Sequence, residues 1–289
     1  MAAAIGAVFV WQRVEGVPVR DGAPSWSPDG TEIVYFSEQP DGNADLFVMN
    51  ADGTRVRRLL ETPDDEGGPA FSPDGLTIAF DTDRDGNFEI YLVGADGAGL
   101  RRVTDHPGRD VAPAWSPDGQ SLVFMSDRER AEFDVFRINV DGTGLTRLTR
   151  DGSNWFPQVA PVEPARLALH VWRDVHVLDL ATSELARLTT APHDGMYPTW
   201  SPHATQIAFM SARNGPTEIF VMNADGSDQR RLVSMASGSA IDPRWSPAGT
   251  HIAFIHVPEE TAGAGQDAAQ ERAIYAVEIA TGRLTRLSR

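Results

Sequence analysis

Apolar and polar positions alternate along this chain in bursts of about five residues, each ended by a turn bearing proline or glycine. Leu76-Thr77-Ile78-Ala79-Phe80 is one burst and Glu89-Ile90-Tyr91-Leu92-Val93 the next, with the polar Asp81-Thr82-Asp83-Arg84-Asp85-Gly86-Asn87 between them. Short β-branched and aromatic runs bounded by turn residues read as strands. Ala70-Phe71 leads in, and Ser72-Pro73-Asp74-Gly75 supplies a proline that presets φ and a glycine that accepts positive φ. Asp96-Gly97 turns the chain again into Leu100-Arg101-Arg102-Val103-Thr104, the most polar run, as suits an outer edge. The stretch predicts four antiparallel strands, lettered A to D from first to last.

The same pattern recurs. Pro-Xaa-Trp-Ser-Pro-Asp-Gly, or a worn copy, begins at Pro24, Pro69, Pro113, Pro157, Pro198 and Pro243, so successive units are 45, 44, 44, 41 and 45 residues long. A period in this range with four strands per unit marks a ring of small sheets. The expected fold is all-β, a six-bladed β-propeller of four-stranded antiparallel blades. It forms a single domain over 1–289, with blades near 24–68, 69–112, 113–156, 157–197, 198–242 and 243–289. A ring of this kind grows without one large core because each blade packs only on its neighbours. Residues 1–23 are left over. Val8–Glu15 resembles a D strand, since Val14 precedes Pro24 as Val103 precedes Pro113, yet the sixth unit has its own candidate in Leu284-Thr285-Arg286-Leu287. The favoured reading is a latch that adds the N-terminal strand to the last blade; the other is that one segment is not a strand.

Composition narrows the chemistry. With no cysteine there are no disulfides, thiolate metal sites or thiol nucleophiles. All 25 basic residues are arginine, so a lysine Schiff base and a P-loop are excluded as well. The net charge of −16 argues against a nucleic-acid partner. Twelve Asp-Gly pairs place many of those acids in tight turns, so the acidity is partly structural. Met1–Val10 is apolar but has no basic segment before it and no small-residue cleavage site after it, and no run is long enough for a membrane span.

Trp-Ser-Pro-Asp-Gly followed by Ile-Ala-Phe, Ile-Phe-Val-Met-Asn-Ala-Asp-Gly and Arg-Arg-Leu resembles the WD-like repeat of TolB-type β-propellers. The resemblance runs from Ala23 to Arg289. It implies a propeller that binds a protein, peptide or other extended ligand, in a periplasmic or secreted setting; the lack of a signal peptide pattern leaves the cytoplasm open. Related repeats also build lyase and protease-associated propellers. TolB carries an additional N-terminal α/β domain that these residues do not contain.

Shared positions hold a repeat fold together, so departures from the repeat are where function is expected. D–A connections and B–C hairpins share one face, and this face varies most. The residue before each proline is Ala23, Gly68, Ala112, Phe156, Tyr197 or Asp242, three small and three large. With Asn154, Trp155, the shortened hairpin Trp172-Arg173, and His193 and Asp194, the large ones form a candidate aromatic platform with polar handles. Capping of the channel rim, or filling of space between blades, is the plainer reading. Asp21, Glu66, Arg109, Asp110 and Asp242 lie on the same face, as cation ligands, as acid and base, or as solvated loop residues. Ser37, Thr82, Ser126 and Ser211 stand opposite Asp45, Glu89, Asp134 and Glu218, which suggests a hydroxyl–carboxylate brace across each B–C hairpin. The sixth unit has His256 and Ala273 there instead, with the insert 258–272 either a lid or a surface loop.

Two metal readings remain. Asp81, Asp83, Asp85 and Asn87 match the front of a calcium loop, although Leu92 stands where the bidentate glutamate belongs. His170 and His256 fall at the ends of equivalent strands two blades apart with His193 on the loop between, which allows a histidine-bound transition metal at the channel. With Asp194 these histidines are the candidate catalytic residues of the alternative function, a lyase, hydrolase or cyclase. No Gly-Xaa-Ser-Xaa-Gly elbow is present to support a serine peptidase.

Overall fold

The computed structural model describes residues 21–39, 42–130, 132–152, 154–162, 165–190, 195–259 and 272–288. They form six four-stranded sheets, each antiparallel throughout and each built from one sequence unit. The A strands are Asp21–Trp26, Glu66–Phe71, Asp110–Trp115, Asn154–Val159, Met196–Trp200 and Ser239–Trp245. They contact one another in sequence, and the first also meets the last, so they surround a central axis. D strands shrink to as few as two residues, as at Arg101–Arg102, which leaves little exposed edge.

The seams between blades are where apolar surface is buried. Val34, Phe36 and Leu46 of blade one meet Phe71, Ile78 and Phe80 of blade two. Ala79, Ile90 and Leu92 then meet Leu122, Phe124 and Phe136 of blade three. The final seam joins Ile274, Ala276 and Leu287 of blade six to Ile33, Tyr35 and Met49 of blade one. Within a blade, the centre of strand B stacks an aromatic ring on strand C. Tyr35–Phe47, Phe209–Phe220 and Phe254–Tyr275 have centroids 5.9 Å apart, and Phe80–Tyr91 and Phe124–Phe136 6.1 Å. Such cross-strand pairs pin the register. Blade four departs, pairing Leu169 with His176.

The sixth sheet takes all four strands from its own unit, including Leu284–Arg286 as strand D. The seam that closes the ring uses the same hydrogen bond as an internal one. Trp26 Nε1 donates to the Arg244 carbonyl (3.3 Å) just as Trp115 Nε1 donates to that of Ala70 (2.9 Å). The N-terminal latch expected at Val8–Glu15 lies outside the described residues.

On the A–B and C–D turn face the same hydrogen bonds recur in several blades. Ser27, Ser72 and Ser116 each donate their hydroxyl to the aspartate two residues on, at 2.6, 2.5 and 2.6 Å. Asp52, Asp141 and Asp225 accept from Thr54, Thr143 and Ser227 in the C–D turns, each at 2.6 Å. Gly30, Gly75, Gly119 and Gly249, which close A–B turns, have φ of 68–73°, and Ala204 adopts φ 51° where the fifth unit lacks the glycine.

Candidate functional site: the mouth of the ring

The opposite face carries the D–A connections and B–C hairpins, tied together by bonds such as Asp110 N–H to the Phe88 carbonyl and Gly195 N–H to that of Arg173, both 2.8 Å. Every A strand is bulged here. The register with strand B shifts in all six blades. The residue before the proline takes a left-handed conformation in each: Ala23 (φ 46°), Gly68 (51°), Ala112 (55°), Phe156 (51°), Tyr197 (50°) and Asp242 (52°). Only one of the six is glycine, so five positions hold a conformation that disfavours a side chain. Bulges re-aim side chains and recur beside functional sites. The column of large and small residues seen in the sequence thus shares one left-handed bulge position in the A strands, small in blades one to three and large in blades four to six.

At the large half, the Phe156 and Tyr197 rings stack with centroids 3.9 Å apart, and His170 lies 6.2 Å from Tyr197. Trp155 packs against Phe133 at 5.3 Å, in a cluster with Val111 and Met125 that Phe156 also touches. Burial and then the charge of Asp242 hold the Tyr197 hydroxyl well above its ordinary pKa. Asp242 pairs with Arg244 at 2.6 Å, and burial still raises its pKa. Trp172 and Arg173 form a two-residue hairpin between Val171 and Asp174. Trp172 is 75% exposed with φ 58°. His193 and Asp194 lie outside the described residues, as does 260–271 of the insert read as a lid.

The hydroxyl column does not brace the B–C hairpins. Ser126 Oγ donates inward to Asp110 on strand A (2.5 Å), and Thr82 Oγ1 to Glu66 (3.4 Å). An arginine two residues past the hydroxyl completes each cluster, with Arg128 on Asp110 at 2.6 Å and Arg84 on Glu66 at 3.0 Å. Asp110 is thus fully buried in an ion pair rather than presented to a ligand. Burial outweighs these bonds, pushing Glu66 up to about 7 and raising Asp110 too. The strand C acids bind outward instead. Arg58–Asp45, Arg102–Glu89, Arg147–Asp134, Arg187–Asp174 and Arg231–Glu218 clamp strand D at 2.5 to 3.0 Å. The arginine two positions past the hydroxyl, in Thr82-Asp83-Arg84, Ser126-Asp127-Arg128 and Ser211-Ala212-Arg213, is legible once the units are aligned.

The histidines are placed apart. His170 pairs with the last residue before its bulge, Trp155, whereas the residue so placed in blade six is Ile255. His256 is one step further along and so points to the other side of its sheet. It lies edge-on to Tyr275 at 5.6 Å and donates to the Ser237 carbonyl (2.9 Å). His170 Nε2 donates to the Trp172 carbonyl (2.6 Å), and burial lowers its pKa to about 4, so the ring is neutral with Nδ1 as an acceptor.

The four calcium-loop candidates also diverge. Asp81 turns inward and accepts the Ala112 N–H (2.9 Å), and Asp83 accepts that of Asp65 (3.0 Å). Asp85 accepts the Tyr91 hydroxyl and pairs with Arg102, while the Asn87 amide donates to the His106 (2.9 Å) and Gly108 (3.0 Å) carbonyls. Among the described residues no group of three or more His, Asp or Glu stands close enough to hold a metal ion.

Six four-stranded blades closed about an axis, with one constant face and one variable face, define a β-propeller. Two family models divide this one between them: the Tricorn protease N-terminal beta propeller domain matches residues 43–160 and the TolB beta propeller domain residues 163–283. The chain is a TolB-type six-bladed β-propeller. It is 36% identical over 59 residues to the uncharacterized peptidase YuxL of Bacillus subtilis, a stretch covering 20% of this chain and 9% of that protein. Over 62 residues it is 32% identical to the Tol-Pal system protein TolB of Alcanivorax borkumensis, covering 22% and 14%. The matches thus span a small part of these relatives' own length. The structure of TolB from Acinetobacter baumannii superposes with a TM-score of 0.70 at 24% identity, over 78% of this chain and 57% of that one. Propellers of an oligogalacturonate lyase and of a puromycin-hydrolyzing peptidase share the fold. Among the described residues no helix is long and apolar enough to cross a membrane.

Proposed function

We propose that this propeller is a binding module that holds an extended peptide segment across the channel mouth, with blades four and five supplying the main contacts. The observation that carries this reading is Trp172. A large ring stands in solvent on a hairpin tip whose backbone favours glycine or asparagine, a choice that works against folding by about 1 kcal/mol. Packing does not account for it, because the side chain is mostly uncovered. Behind it lie the Phe156–Tyr197 stack and the neutral His170, whose ring is anchored on the carbonyl of Trp172 itself. Rigid aromatic rings on loops above a fixed scaffold suit recognition of an extended chain. Resemblance to TolB proteins supports a binding role in an extracytoplasmic setting.

The test is selection of peptides from a random phage-displayed library on the immobilised protein, followed by affinity measurement on variants. Trp172→Ala is expected to weaken the selected peptides by about thirtyfold or more, the loss typical of an aromatic anchor, with an unchanged melting temperature. Selected peptides that bind Trp172→Ala as tightly as the native protein would sink the reading.

A further inference from the structure

Around the mouth nearly every buried carboxylate has an arginine: Glu66 has Arg84, Asp110 has Arg128 and Asp242 has Arg244. Asp81 has none among the described residues. It belongs to a column of strand B positions, each paired with the last residue before a bulge: Phe36, Asp81, Met125, His170, Met210 and Ile255. Four of the six are apolar and reach toward the next blade, as when Met125 Sδ accepts the Phe156 N–H at 2.9 Å. Asp81 sits in that apolar setting with 1% of its surface exposed. One carboxylate oxygen takes the Ala112 N–H; the other is buried without a partner.

The second polar member of the column shows the same pattern. His170 Nε2 is held by the Trp172 carbonyl, which leaves Nδ1 as a buried acceptor with no donor. Glu66 Oε2 and Asn154 Oδ1, on strand A at the same face, are also buried acceptors without donors. A buried unpaired polar atom is unfavourable by roughly 1–3 kcal/mol and calls for an explanation. Here the unmatched groups are acceptors, two of them acidic. Their complement is a donor-rich cation.

A Cβ on Gly68 would lie 2.5 Å from Asp81 Oδ2, so glycine leaves room for the carboxylate to take the Ala112 N–H. Ala112 itself ends at a methyl. Arg84 and Arg128 are turned away, Arg84 over the Tyr91 ring at 4.9 Å and Arg128 over the Phe136 ring at 5.0 Å.

We propose that the mouth recognises a cationic group of the bound peptide, an alkylammonium or guanidinium, with Asp81 as its counter-charge. This rests on the peptide-binding reading and assigns it a ligand chemistry. Burial already pushes the Asp81 carboxyl up to about 7, as expected of a carboxylate whose cation arrives only with a ligand.

The experiment uses the full chain and pairs of selected peptides with acetylated N-termini that differ only in Arg or Lys against Gln. The charged member should bind at least about tenfold tighter, and Asp81→Asn should erase that difference. If Trp172→Ala weakens both members while charge makes no difference, peptide binding stands and the cation proposal falls. If neither member binds the native protein, both fall. A measurement on the native protein covers a failure of Asp81→Asn to fold. The carboxyl carbon resonance of Asp81, followed by NMR with pH, should titrate at lower pH when arginine amide is added. An unmoved titration overturns the proposal and leaves ordered water as the partner of the free oxygen.

Discussion

On the turn face Asp29, Asp74 and Asp118 each accept hydrogen bonds from a serine or a backbone N–H within their own loop, and their pKa values are lowered by those bonds. On the mouth face Glu66, Asp81, Asp110 and Asp242 are buried between strands, and burial raises all four. The same residue type thus serves opposite purposes. A solvated carboxylate at a turn is satisfied by its neighbours in sequence and asks nothing of the tertiary structure. A buried one needs an arginine placed against it, from the B–C hairpin for Glu66 and Asp110 and from two residues on for Asp242; among the described residues Asp81 has none. The contrast separates acids satisfied within their own turn from acids held between strands.

The sharpest way to break that contrast is to remove a mouth arginine. Arg128→Ala leaves Asp110 buried without its counter-charge and should destabilise by about 3–5 kcal/mol, read from the urea midpoint. A loss under about 1 kcal/mol would mean that the pair is as solvated as a surface one. Next in size is a pH effect. Glu66 and Asp81 bind their protons more tightly in the folded chain than in the unfolded one, whose carboxyls titrate near about 4. The stability they contribute is complete below that pH and is lost as pH rises toward 7. Asp81→Asn should therefore flatten the fall in melting temperature between about pH 4 and 7. It should stabilise the protein at pH 8, at about 1.4 kcal/mol per unit of pKa shift removed. The turn acids have the reverse sign, adding stability above the unfolded value and losing it as pH falls through their lowered ones. The smallest effect is expected there: Asp118→Ala removes bonds to the Ser116 hydroxyl and the Gln120 N–H and should lower stability by about 1 kcal/mol. A larger loss would show that the turn face is not so locally determined.

Much of the ring was legible because its signals are local. Ser-Pro-Asp-Gly turns, five-residue strands and a constant period need only a few neighbouring residues, and six copies average out the noise. The residues before each proline stood out in the chain too, although the left-handed bulge they occupy did not. Other details needed the register. The hydroxyls of Thr82 and Ser126 turn to strand A rather than strand C, a choice between two carboxylates that sequence spacing leaves equal. His170 and His256 separate by a one-residue offset, enough to send side chains to opposite sides of a sheet. Asp81, which in the chain reads as the first oxygen of a calcium loop, is carried inward by the alternation of its strand while Asp83 and Asp85 stay on the loop.

By itself, then, the sequence determined the architecture: strand content, blade number, turn chemistry and the face that varies follow from contacts within a few tens of residues. The tertiary structure decided which charges have partners. Pairing across strands and burial in the seams depend on distances that close only when the sheets stack around the axis, and that closure sets Asp81 apart from the other buried mouth acids, Glu66, Asp110 and Asp242.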